Sequence, residues 1–211
     1  MSYAVKELVY TLQGEGARAG SAAVFCRFAG CNLWSGREED RGEAICQFCD
    51  TDFLGVDGEA GGHFADAEQL AAAIAGTWAG APPSKPLVVF TGGEPALQLD
   101  AALVEKVHEN GFEVAIETNG TRRPPDGIDW VCVSPKAGAP LHLTSGSELK
   151  LVYPQADAPP EAFADLDFDH FFLQPMAGPA LEGNMQAAVA YCLAHPQWRV
   201  SLQTHKVLGI A

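Results

Sequence analysis

Cys31, Cys46 and Cys49 are the residues of this chain whose type and spacing point most directly to chemistry. A cubane iron-sulfur cluster normally takes four cysteines; three leave one iron with an open position, and an open position is what reactivity requires of a metal centre. Cys46-Gln47-Phe48-Cys49 lets two thiolates reach one centre from a single turn, while Cys31 approaches from across the fourteen-residue excursion Asn32 to Ile45. That excursion carries Gly36, Gly42 and the run Arg37-Glu38-Glu39-Asp40-Arg41, and its charge reads as a solvated face. On the cysteines alone, a zinc site completed by a histidine such as His63 fits equally, as does a set of unrelated buried thiols.

A second chemical segment follows. Pro86-Leu87-Val88-Val89-Phe90 reads as a buried strand and runs directly into Thr91-Gly92-Gly93-Glu94-Pro95. Paired glycines let a ligand approach backbone carbonyls, and those carbonyls with the Glu94 carboxylate suit an ammonium group. The plainer alternative is a strand-to-helix turn with Glu94 in the first helical turn, where its charge favours the dipole. Upstream, Arg27 shares a strand face with Phe25, so its guanidinium is directed inward and needs a partner, either an anionic ligand or a buried acid such as Glu117. Cys26 alternates to the opposite face and reads as packing, as do Cys132 and Cys192. His63, His108, His142, His170 and His195 show no paired ligand spacing.

Together these features resemble the radical S-adenosylmethionine enzymes, in which three cysteines hold a [4Fe-4S] cluster and a Gly-Gly-Glu-Pro motif binds the methionyl amine. The usual family spacing between the first two cysteines is three residues, whereas here it is fourteen. The expanded spacing, the short chain and Thr11-Leu12-Gln13-Gly14-Glu15-Gly16 resemble one branch, the 7-carboxy-7-deazaguanine synthase family. The resemblance extends through Arg27, Cys49-Asp50-Thr51, Glu117-Thr118-Asn119-Gly120, Ser134-Pro135-Lys136 and Leu173-Gln174-Pro175-Met176.

It implies a ring-contracting lyase. A radical derived from S-adenosylmethionine takes hydrogen from C6 of 6-carboxy-5,6,7,8-tetrahydropterin, and rearrangement with loss of ammonia gives 7-carboxy-7-deazaguanine, on the route to queuosine and other deazapurines. The implied cofactors are a [4Fe-4S] cluster on Cys31, Cys46 and Cys49, S-adenosylmethionine, and Mg2+ at Thr51. S-adenosylmethionine would lie against Phe48, Gly93, Glu94, Ser134, Pro135, Lys136, Gln174, Pro175 and Met176. Implied substrate contacts are Leu12, Gln13, Gly14 and Glu15, with Arg27 on the carboxylate, and Thr91, Glu117, Asn119, His205 and the terminal carboxylate of Ala211. No residue is assigned as a general acid or base, because the cofactor delivers the radical. Thr51 equally suits a turn cap beside Asp50 and Asp52, and Lys136 and His205 equally suit an ordinary surface. Family expectation adds an electron donor such as flavodoxin and a homodimer. The alternatives are an activase of a glycyl-radical enzyme and a non-catalytic zinc-binding module.

These residues need a scaffold that brings them together. Strand patterns fall near Ala22–Phe28, Leu87–Thr91, Phe112–Glu117, Trp130–Ser134, Glu148–Val152 and Phe171–Gln174, with helices at Ala65–Trp78, Leu97–Glu109 and about Asn184–Ala194. Alternating strands and helices predict an α/β fold, a partial βα barrel of about six parallel strands with a reduced set of helices. Ser134 to Glu148 is too short and too rich in Gly, Pro and Ser for a crossover helix, and Pro154 to Pro160 is loop-like. Loops at the C-terminal ends of parallel strands converge on one mouth, and nearly every motif occupies such an end.

At 211 residues and 47% hydrophobic content, one sizeable core is expected, a single domain over 1–211 with the cluster-loop insertion at about 32–45. A net charge of −14 argues against nucleic acid and anionic membranes as partners. The absence of a long apolar run or an apolar leader predicts a cytoplasmic protein, in which six cysteines read as ligands and buried thiols.

Overall fold

The computed structural model describes residues 2–210. Its sheet begins with β1 (Tyr3–Leu12), which turns back into β2 (Ala22–Phe28). The cluster loop and the short β3 (Gly62–Phe64) follow, then α1 (Ala67–Thr77), β4 (Leu87–Gly92), α2 (Ala101–Glu109) and β5 (Glu113–Thr118). β6 (Trp130–Val133), β7 (Ser145–Tyr153), β8 (Asp167–Pro175), α3 (Leu181–Ala194), β9 (Trp198–Val200) and the short α4 (Thr204–Leu208) complete the order.

The strands form one nine-stranded open sheet in the order β3-β1-β2-β4-β5-β6-β7-β8-β9. From β2 to β9 every neighbouring pair is parallel. β1 and β3 are antiparallel additions at one edge. This is the expected partial βα barrel, with the parallel run extended by β9. β1 escapes a periodicity reading because its register shifts between Val5 and Glu7, a bulge that breaks strict alternation.

Helices cross over only between β3 and β4, β4 and β5, and β8 and β9. The β6–β7 connection is helix-free, and β7–β8 holds only a 3-10 turn at Pro160–Ala162. Asp66 and Asp100 cap α1 and α2 by accepting from the Gln69 and Leu103 amides. The two helices then bury Leu70, Ile74, Leu103 and Val107 against Val24, Cys26, Phe28, Val88, Phe90, Val114 and Ile116. A second cluster sets Leu149, Leu151, Phe171 and Leu173 against Ala188 and Trp198. Cys26 is buried in the first apolar cluster, as expected, whereas Cys132 is buried beside Glu148, Glu117 and Lys150, a charged setting that its apolar strand did not predict. The opposite sheet face carries Phe25 and Arg27 on β2, Thr91 on β4 and Glu117 on β5, and it opens into a cavity. Among the described residues no helix is long and apolar enough to cross a membrane.

Candidate active site at the mouth of the sheet

A cavity of about 370 Å³ lies over the C-terminal ends of the parallel strands. On one side it is lined by Cys46, Phe48, Cys49 and Thr51 from the loop after β2. That loop is more ordered than its charge run suggests. Trp34 and Phe53 are buried and meet edge to face at 5.5 Å. Arg41 lies 4.0 Å over the Trp34 ring and donates to the Gln47 and Cys49 carbonyls at 2.9 and 3.0 Å. The expectation of a solvated face therefore holds for Glu38, Glu39 and Asp40 but not for Arg41, whose guanidinium closes the loop.

Cys46 and Cys49 share a thiol hydrogen bond that brings Cys49 down to about 6 and pushes Cys46 up. Cys31 interacts electrostatically with Cys49 and Glu94, and burial raises its thiol. It stands behind Gly93, where an added Cβ would fall 2.6 Å from Cys31 Cβ and 2.3 Å from the Gly30 oxygen. A Cβ on Gly92, at φ +134°, would lie 2.2 Å from the Phe28 oxygen. The paired glycines therefore admit the chain leaving β2, and that contact seats the first cysteine. Cys46 and Cys49 line one cavity wall, and Cys31 stands behind it within electrostatic reach of Cys49, an arrangement that fits a three-cysteine cluster site. His63 is not placed to complete a zinc site, because it pairs with Ala4 in the β1–β3 ladder, away from the cavity. Among the described residues, no three His, Cys, Asp or Glu side chains gather into a single-ion site.

Glu94 is fully buried and is not on the cavity wall. Its carboxylate accepts from the Thr118 hydroxyl and the Asn119 amide, both at 2.7 Å, and from the Ala96 amide at 2.9 Å. Burial pushes its carboxyl up, against those three bonds. The Glu94 carboxylate is thus engaged by three protein donors, as the plainer strand-to-helix-turn reading expects. Glu94 staples the β4 and β5 ends together beneath the cavity, and it caps the 3-10 turn Pro95–Leu97. Asn119, which does line the cavity, also donates to Asn32 at 3.1 Å and accepts from Thr121.

The opposite wall is polar. Arg27 donates through Nε to Glu7 Oε1 at 2.8 Å, so its protein partner is Glu7 on β1 and not Glu117. Glu117 Oε1 accepts from Gln13 Nε2 at 2.8 Å, and Oε2 accepts from Lys150 Nζ at 2.9 Å. Lys150 also donates to Glu15 Oε2 at 2.5 Å, and Glu15 Oε1 accepts from Gln203 at 3.0 Å. Burial raises the Glu15 carboxyl, but Lys150, Gln203 and His205 outweigh it and hold the group below the usual carboxylate range. Burial likewise opposes the charge on Lys150, yet its acidic neighbours raise it well above an ordinary lysine.

Leu12, Gly14, Thr91 and His205 also line the cavity. A Cβ on Gly14 would lie 2.2 Å from His205 Nδ1, so only glycine permits that approach. Ser134 and Lys136 are on the wall, with Lys136 Nζ donating to the Ser134 hydroxyl and carbonyl at 2.6 and 2.7 Å. Burial lowers Lys136. Gln174 and Pro175 line the cavity, and Gln174 accepts from Ser201 at 3.1 Å. Pro135 faces a smaller neighbouring cavity, and Met176 is absent from both walls, its amide donating to Tyr153 at 2.8 Å. Ala211 lies outside the described residues.

Lys150, Gln203, Glu7 and Lys206 were not anticipated. Lys150 had a legible signal, the same one that marks Arg27: a lone cation inside the apolar strand Leu149-Lys150-Leu151. Gln203 and Lys206 had none, since their roles come from a long-range contact. Both reach Asp50 on the cluster loop, at 3.3 and 2.5 Å.

No family model matches the chain. It is 68% identical to a 7-carboxy-7-deazaguanine synthase of Bordetella pertussis, with 100% of both chains covered. It is 42% identical to that of Bacteroides thetaiotaomicron, over 98% of this chain and 97% of the relative. In three dimensions it is similar to QueE from Escherichia coli, with a TM-score of 0.70 and 27% identity over 96% of this chain and 94% of the other.

Proposed function

The chain belongs to the 7-carboxy-7-deazaguanine synthase family, and we propose that it converts 6-carboxy-5,6,7,8-tetrahydropterin to 7-carboxy-7-deazaguanine with loss of ammonia, serving queuosine or other deazapurine biosynthesis. The observation that carries this reading is a single cavity with cysteine thiols on one wall and Arg27, Gln13 and Glu117 on another.

Cys31, Cys46 and Cys49 are the residues that would hold a [4Fe-4S] cluster, and Phe48, Gly93, Ser134, Lys136, Gln174 and Pro175 those that would border S-adenosylmethionine. When bound, that pair supplies one-electron chemistry and hydrogen-atom removal. The chain's own residues orient the substrate. Arg27 is fixed through Nε by Glu7, which leaves its two Nη amino groups for a carboxylate. Glu117 offers acceptors to the amide and amino edge of a pterin. Thr51, on the cavity wall, would offer its hydroxyl to a magnesium ion, which would help hold the substrate carboxylate. Phe25, Val9 and Val152 line the cavity and limit water at the reacting ring. Glu94 acts from below, holding the β4 and β5 ends in register. The same reading includes one radical S-adenosylmethionine domain over 1–211, a homodimer, and reduction by a carrier such as flavodoxin.

The test is anaerobic turnover of cluster-reconstituted protein with S-adenosylmethionine, reductant, magnesium and 6-carboxytetrahydropterin, followed by mass spectrometry. The ring-contracted acid is the expected product. Cleavage of S-adenosylmethionine without it would discard the substrate assignment.

A further inference from the structure

We infer that Lys150 is a positioning residue for substrate selection: it fixes the Glu117 carboxylate so that its free acceptor sites match a ring edge with two adjacent N–H donors. This rests on the proposed function and adds to it a residue that the motif-by-motif reading leaves out.

The argument begins with burial. The Lys150 side chain is 3% exposed, among the least likely places for an unpaired cation, and it stands on the cavity wall between two carboxylates. Its Nζ reaches Glu117 on β5 and Glu15 on the turn after β1. The arrangement closes on itself. Gln13 donates to the other oxygen of Glu117 at 2.8 Å, and the Glu15 amide donates to the Gln13 side-chain oxygen at 3.0 Å. Gln13, Glu117, Lys150 and Glu15 thus form a ring of hydrogen bonds drawn from three separate elements.

The consequence for Glu117 follows from counting acceptors. An ionised carboxylate has about four lone-pair sites, two on each oxygen. Lys150 takes one on Oε2 and Gln13 one on Oε1. One site on each oxygen remains, and the rotation that would blur their direction is opposed from both sides. A pair of fixed acceptors fits an amino group beside a ring N–H, the edge that a 2-amino-4-oxo pyrimidine ring presents. Lys150 also offsets the charge that Glu15 and Glu117 would otherwise bring together in a partly dry site. Glu148, two residues before Lys150 and on the same face of β7, is buried and accepts from the Ala17 amide at 2.8 Å, so it adds negative charge without reaching the ring of bonds.

The test is a double-mutant cycle on Lys150→Met and Glu117→Gln, read by two measurements on the reconstituted protein. One is the dissociation constant for 6-carboxypterin, an oxidised form that does not turn over. The other is KM and kcat for the tetrahydropterin. Loss of a charge-assisted bond at this position is expected to raise both Kd and KM by about 10- to 100-fold. The change in kcat stays within about threefold, because the group acts on binding geometry and not on the radical step. If Lys150 works through Glu117, adding Lys150→Met to Glu117→Gln costs little more, so the cycle is strongly non-additive. Independent, multiplying effects would overturn the inference, as would a KM unchanged in Lys150→Met. Lys150→Gln retains one donor without the charge and is carried through the same cycle, with partial recovery of Kd expected; it also serves if the methionine variant fails to fold. Wild-type protein that neither binds the pterin nor turns it over would remove the proposed function and this inference together, whereas normal wild-type behaviour with an additive cycle removes the inference alone.

Discussion

Arg27 and Glu7 face one another across the β1–β2 ladder, with Arg27 Nε donating to Glu7 Oε1 at 2.8 Å and both side chains about one quarter exposed. A guanidinium held by one edge keeps its remaining donors in a defined plane. An ammonium on the same strand has no such plane. Arg27→Lys is therefore expected to raise KM for the carboxylated pterin by about 10- to 100-fold. Steady-state kinetics with the pterin and with an analogue lacking the carboxylate check this. The variant should lose its defect relative to wild type when the carboxylate is absent.

Arg41 ties the cluster loop to itself through Trp34 and the Gln47 and Cys49 carbonyls. Arg41→Ala is expected to leave global stability little changed, since its guanidinium lies at the surface of the loop. The local effect is larger. Iron and sulfide content after reconstitution should fall, and the visible absorption should bleach faster in air. Wild-type iron content and bleaching rate would exclude a role for Arg41 in holding the loop.

Gly93 has no room for a methyl group, because Cys31 and the Gly30 carbonyl occupy it. Gly93→Ala should destabilise the fold by about 1–3 kcal/mol through overpacking and should lower iron content by displacing Cys31. Gly76, near the end of α1, has nothing within 4 Å of an added Cβ. Gly76→Ala should stabilise by about 0.5–1 kcal/mol and leave iron unchanged. Urea unfolding of the two variants separates a steric glycine from an incidental one.

Glu113 is held below the usual carboxylate range by its hydrogen bond to Arg18, which also stacks 5.2 Å over Trp130. A folded value below the unfolded one, about 4.3 for glutamate, means that the pair's stabilisation is complete above that pH. It is lost as pH falls through the lower, folded value. The gap in urea midpoint between wild type and Glu113→Gln should therefore be widest near neutrality and close on acidification below about pH 4. A gap that widens with acid would contradict the assignment.

Features that depend on local spacing were legible along the chain, apart from the bulged β1 and the short β3 and β9. Short apolar runs gave β2 and β4 to within one residue, helical periodicity gave α1 and α2 but began them at Ala65 and Leu97, upstream of the aspartates that cap them, and the motif order predicted which strand ends would meet. The cysteine triplet, Arg27 and Glu117 were visible because polar or thiol groups stand out against apolar strands.

The tertiary structure alone decided how those groups are paired. Nothing local tells Arg27 to choose Glu7, since the bulge in β1 that brings Glu7 opposite it exists only once the two strands pair. Nor does spacing reveal that Glu94 turns beneath the cavity, that Gly93 makes room for Cys31, or that Lys150 joins Glu15 to Glu117 across 135 and 33 residues of chain. A side chain's environment inside a protein is set by neighbours brought together through folding, and hydrogen-bond direction is chosen among those neighbours. The kind of chemistry is therefore readable along the chain, while its geometry belongs to the fold.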